Sequence, residues 1–210
     1  MSKIEEVKAM LEAGKAKLVP GLVQEALDEG AEVQTILQAM IDSMGVVGDR
    51  FSAGEIYVPE MLMAAKAMSK GVDVLKPLLT GGTSSTLGTC LIGTVEGDLH
   101  DIGKNLVAMM IESAGFDVVD LGVDVSATKF IEAIKVNKNV TLVACSGLLT
   151  TTMPAMKQSV QEIKASGLTG FKVMVGGAPV TQEYANEIGA DGFAPDAGSA
   201  AVKAKELVKA

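Results

Sequence analysis

The apolar residues of this chain change their spacing near residue 80, and that change limits what the chain can fold into. From residue 3 to about 79 they recur at helical intervals. Val33, Ile36, Leu37, Met40, Ile41, Met44 and Val47 show this most clearly, tracing one helix face at i, i+3, i+4 and i+7. Ile4, Val7 and Leu11 predict a shorter helix before it. Leu22, Val23, Ala26 and Leu27 predict another, with Pro20 near its first turn, and Leu62, Ala65, Met68, Val72 and Leu75 a last one after Pro59. About four such helices make a small bundle. Beyond residue 86 the rhythm is different. "LGTCLIGTV" (87 to 95), "FDVVDL" (116 to 121), "VTLVAC" (140 to 145), "FKVMVG" (171 to 176) and the weaker "DGFA" (191 to 194) are short apolar runs separated by helical patterns. Strands alternating with helices imply crossover connections and a parallel sheet covered on both faces.

The expected fold class is therefore α/β, with an N-terminal helical bundle followed by a doubly wound, Rossmann-like domain. "TGGTSST" (80 to 86) has glycine and hydroxyl residues without an apolar partner and reads as a flexible linker. The expected division is a helical domain over 1–80, a connection over 81–87 and an α/β domain over 88–210. A hydrophobic content of 48% is enough for one or two buried cores. A net charge of −8 disfavours nucleic acid or an anionic membrane as partner, since both would be repelled. The acidic start "MSKIEEVKAM" has no signal-peptide core, and the longest apolar run, "LVAMMI" (106 to 111), is too short to span a bilayer. A soluble, cytoplasmic protein is expected. Cys90 and Cys145 each lie inside an apolar strand run, where a thiol packs as a small hydrophobe.

In open parallel sheets ligands lie outside the carboxyl ends of the strands, near the switch in strand order. That directs attention to "EGDLHDIG" after the first strand, "SGLLTTTMP" after the third and "GGAP" after the fourth. The first holds His100, the only histidine of 210 residues, two places after Asp98. A carboxylate so placed can accept the proton of one ring nitrogen and leave the other with a free lone pair. This suits a metal ligand and equally a general base, while an ordinary surface histidine is the third reading. Zinc is disfavoured because it normally takes three or four protein ligands. A nucleophilic triad is also weak, because there is no GxSxG elbow and Ser146 lacks a glycine two places before it. A single protein ligand suffices when the metal arrives already held by a tetrapyrrole-like macrocycle.

Asp98-x-His100-x-x-Gly103, then Ser146-x-Leu148, then Gly176-Gly177, resembles the ordered three-part pattern of the B12-binding domain family. "EGDLHDIGKN" and "SGLLTTTMP" look like methionine synthase and the corrinoid proteins of anaerobic methyltransferase systems, and "GDRFSAGEIYVPEMLMAAKAM" (48 to 68) is similar to their helical cap. The resemblance covers nearly the whole chain. It implies cobalamin or a related cobamide as cofactor. His100 would be the metal ligand, binding cobalt from the lower face in place of the cobamide's own base, with Asp98 hydrogen-bonded to its other nitrogen. Leu99, Asp101 and Ile102 would adjoin the cofactor, Asp101 through its backbone or as a charge at a helix N-terminus. Gly103, Gly176 and Gly177 would line a slot for the displaced nucleotide tail, and Ser146, Leu148 and Thr150 would face it. Thr152 would extend the Asp-His relay where methionine synthase has serine. Tyr57, with Val58 and Met61, would cap the upper face.

The implied function is that of a methyl shuttle. It accepts a methyl group on cobalt(I) from a substrate-specific methyltransferase and passes it to a second methyltransferase acting on tetrahydrofolate or a thiol, with a reductive activase as third partner. A mutase small subunit and a corrinoid-binding sensor are the alternatives. The helical residues speak against the first, and the acidic N-terminal half, without a basic recognition helix, against the second.

Overall fold

A computed structural model describes residues 2–79 and 86–209, so 80–85 of the expected linker lie outside the described residues. The chain forms two compact units. In the first, α1 (Lys3–Glu12), α2 (Val19–Asp28), α3 (Val33–Ser52) and α4 (Val58–Leu79) pack their apolar stripes together, burying Val7, Leu11, Val23, Ile36, Met40 and Met44. Ser2 caps α1, its hydroxyl accepting from the Glu5 N–H at 3.3 Å. At Gly71 in α4 the end of the Met40 side chain from α3 occupies the space a Cβ would take. α4 begins at Val58, earlier than the periodicity predicts. Pro59 sits in its first turn, where an absent N–H leaves no hydrogen bond unmade.

The second unit alternates strand and helix: β1 (Thr89–Thr94), α5 (Ile102–Ser113), β2 (Asp117–Asp120), α6 (Ala127–Val136), β3 (Val140–Ser146), α7 (Met153–Ala165), β4 (Lys172–Gly176), α8 (Gln182–Ile188), β5 (Gly192–Ala194) and α9 (Ala197–Lys209). A 3-10 turn, Thr150–Thr152, leads into α7. The five strands are all parallel, in the order β2-β1-β3-β4-β5. β1 is buried along its whole length, as a central strand with both faces covered must be. Leu91, Val143, Cys145, Val173 and Val175 share one core with Phe130, Val160 and Ile163 from the helices. Because the chain goes from β1 to β2 on one side and returns to β3 on the other, the switch point lies between the ends of β1 and β3. No helix among the described residues is long and apolar enough to cross a membrane.

Candidate functional site

The sheet register brings the three loops together. Thr94 at the end of β1 pairs with Ser146 at the end of β3, Ser146 with Gly176, and Gly176 with Ala194, so the strand ends form one row. The ladder continues past it: the Val95 N–H donates to the Ser146 carbonyl at 2.9 Å, and the Gly147 N–H to that of Gly176 at 3.1 Å.

Asp98 stands at the centre of this edge and is 0% exposed. One carboxylate oxygen accepts the His100 N–H at 3.0 Å and faces His100 Nδ1 at 2.6 Å. The other accepts the N–H of Leu148 at 2.7 Å and of Leu149 at 3.3 Å, and the Thr152 hydroxyl at 3.1 Å. Burial alone would push this carboxyl up, but the hydrogen bonds from Leu148, His100 and Thr152 outweigh it and hold the group at about 2. An ionised carboxylate only accepts, so Nδ1 carries the ring proton and Nε2 presents its lone pair. The Thr94 hydroxyl also donates to the His100 carbonyl at 2.8 Å, so both the loop and the ring are oriented. The imidazole side chain is 50% exposed.

Around the ring the surface is unusually apolar. Leu99 and Ile102 are 72% and 78% exposed, and Leu148 and Leu149 across the switch point are exposed too. Such a concentration of outward-facing leucine and isoleucine marks a surface that something apolar covers. Gly103, in the first turn of α5, has nothing within 4 Å of where a Cβ would stand, so no polypeptide contact requires glycine there. Gly177 differs: its φ is 128°, and a Cβ would collide with the Gly147 carbonyl. At Gly176 a Cβ would lie 2.9 Å from the Ala194 carbonyl. Packing of the protein against itself accounts for both.

Ser146 is half-buried at its strand end, while Asp101 and Thr150 are exposed. Thr152 is buried, its hydroxyl within 3.0 Å of the Leu149 carbonyl as well as beside Asp98. Tyr57 lies in the helical unit, exposed, its N–H donating to Glu60 at 3.0 Å; Val58 is exposed and Met61 buried there. Three contributors escape the motif: the Leu149 N–H, the Thr94 hydroxyl, and Asp124, whose carboxylate accepts the Gly97 N–H at 2.7 Å. Only the position of Thr94 at a strand end could have flagged one of them.

Among the described residues no three His, Cys, Asp or Glu converge to hold a cation. The site instead offers one oriented nitrogen, an apolar rim and open space beside Gly103. These fit a metal held in a large flat macrocycle. A B12 binding domain model matches residues 88–204, and a second one, also described as a B12 binding domain, matches residues 3–76. The chain belongs to the B12-binding domain family. Dimethylamine corrinoid protein 1 of Methanosarcina acetivorans is 41% identical over 98% of this B12-binding chain and 97% of its own length. Trimethylamine corrinoid protein 2 of the same organism is 41% identical over the whole of both. The methanol:cobalamin methyltransferase complex from Methanosarcina barkeri contains a chain that superposes with a TM-score of 0.82 at 30% identity, covering 99% of this chain and 80% of that one. Cobalamin or a related cobamide is the cofactor of this B12-binding protein.

Proposed function

We propose that the chain is the methyl-carrying corrinoid subunit of a methyltransferase system, with a methylamine as its donor class. The observation that carries this is the Asp98–His100 pair at the β1/β3 switch point, which fixes the tautomer and leaves one ring nitrogen facing outward. When bound, the cobamide supplies a cobalt centre that takes up and releases a methyl group. The protein's part is to hold and tune it. His100 would offer Nε2 to the cobalt, while Asp98 keeps the proton on Nδ1, and Thr152 and the Leu148 N–H keep Asp98 in place. The exposed leucines and Ile102 would exclude water from the bound cofactor, and Gly103 would permit its close approach.

Methylamine is favoured over methanol because relatives matched along their full length are named for dimethylamine and trimethylamine, at higher identity than the methanol complex. The partners are a substrate-specific methyltransferase, a second methyltransferase and a reductive activase, all in the cytoplasm. The test is methyl transfer to the reduced, reconstituted protein, followed by visible spectroscopy, with dimethylamine, trimethylamine and methanol methyltransferases in parallel. Methylation with an amine enzyme is expected. Methylation with the methanol enzyme alone would overturn the donor assignment, and an unchanged cobamide spectrum in His100→Ala would overturn the ligand assignment.

A further inference from the structure

The loop bearing Asp98 and His100 is also held from a side that the three-part pattern does not include. After β2 the chain runs beside this loop, and the bridge between Val95 and Val125 extends the parallel pairing. Within this stretch Asp124 has φ 52°, in the left-handed region that aspartate tolerates and most side chains avoid. The conformation turns both ends of the residue on one target. Its carboxylate accepts the Gly97 N–H at 2.7 Å, while its own N–H donates to the Asp98 carbonyl at 3.0 Å. The far end of the loop is fastened from the last residue of β2. Lys104, 2% exposed, pairs with Asp120, whose other oxygen accepts the Gly122 N–H at 2.8 Å. A carboxylate at the end of β2 and another in the connection after it thus pin residues 97 to 104 at both ends.

We infer that Asp124 is a positioning residue for His100: by fixing the Gly97 N–H and the Asp98 carbonyl it sets where the ring stands and how firmly cobalt is held. This rests on His100 being the lower ligand. A merely stabilising bond would alter unfolding without altering coordination.

The test uses the full chain, labelled with 15N-histidine so that its splitting differs from that of the cobamide's own base, reconstituted with hydroxocobalamin and taken to cobalt(II) with a mild one-electron reductant. Asp124→Gly keeps the left-handed backbone and removes the carboxylate, Asp124→Asn keeps an acceptor oxygen, and His100→Ala is the control. In Asp124→Gly the Gly97 amide should exchange faster with solvent, nitrogen splitting in the cobalt(II) EPR spectrum should weaken, and cobamide should dissociate about tenfold faster. Asp124→Asn should restore all three. Faster Gly97 exchange with unchanged EPR and dissociation overturns the inference, as does unchanged Gly97 exchange or a folded Asn variant that fails to rescue. If His100→Ala itself leaves the EPR spectrum unchanged, it is the ligand assignment that fails.

Discussion

The Leu148 N–H meets a carboxylate oxygen of Asp98 at 2.7 Å although 50 residues of chain separate them. This bond joins the loop after β3 to the loop after β1, and the orientation of His100 depends on it because the same carboxylate holds Nδ1.

Asp98→Asn tests that dependence. The amide has one accepting oxygen, so its NH2 must face either the Leu148 N–H or the His100 ring. Leaving a buried donor unsatisfied costs about 2 kcal/mol, which urea unfolding of the apoprotein should register. If the NH2 turns to the ring, the proton moves to Nε2, the wrong tautomer for ligation. Retention of cobamide on gel filtration should fall at least about tenfold. Undiminished retention would separate Asp98 from binding.

The depressed Asp98 pKa has a defined pH signature. The folded value of about 2 lies below the ordinary value of 3.8, so ionised Asp98 contributes stability that is full above pH 3.8 and is lost as pH falls through about 2. The contribution amounts to about 2 kcal/mol. Urea unfolding of the apoprotein across this interval should show the loss, and Asp98→Asn should lack that component. A parallel slope in both proteins would assign it elsewhere.

Gly103 and Gly177 should respond oppositely to alanine. At Gly177 the Cβ has no room and φ is 128°, so Gly177→Ala should cost about 3 kcal/mol or prevent folding. At Gly103 the space is open and the backbone helical, so Gly103→Ala should leave the apoprotein within about 1 kcal/mol of wild type, on the stable side. Its cobamide retention should nevertheless drop. Full retention would show that nothing approaches α5 there.

Burial pushes the Cys145 thiol up to about 12 and raises Cys90 beyond that, with Cys145 adding to the effect. Neither forms thiolate at mildly alkaline pH, so the native protein should not react with a thiol reagent, whereas both cysteines should react in urea. Rapid labelling of the folded protein would mean that the strands open.

Most of the architecture was legible in the chain because burial periodicity is local. Val33 to Val47 could be read as one helix face without knowing what covers it, and "VTLVAC" as a strand without knowing its neighbours. The start of α4 was less legible, since Pro59 is compatible with both a boundary and a first turn. Asp98 and His100 stood out as a carboxylate and the only histidine two places apart after a strand, whereas Thr152 was reached only through the family resemblance. Asp124 left no mark, because an aspartate between Val123 and Val125 does not announce a left-handed backbone or a bond to Gly97.

The sequence by itself determined where helix gives way to strand, which residues face a core and which loops hold polar chemistry, all properties written in nearest-neighbour spacing. Only the tertiary structure decided that β1 lies beside β3, that Thr94, Ser146 and Gly176 end in one row, and that five donors converge on Asp98. The physical reason is that strand order and loop contacts arise from how crossovers pack on the sheet, which joins residues whose separation along the chain carries no local signal.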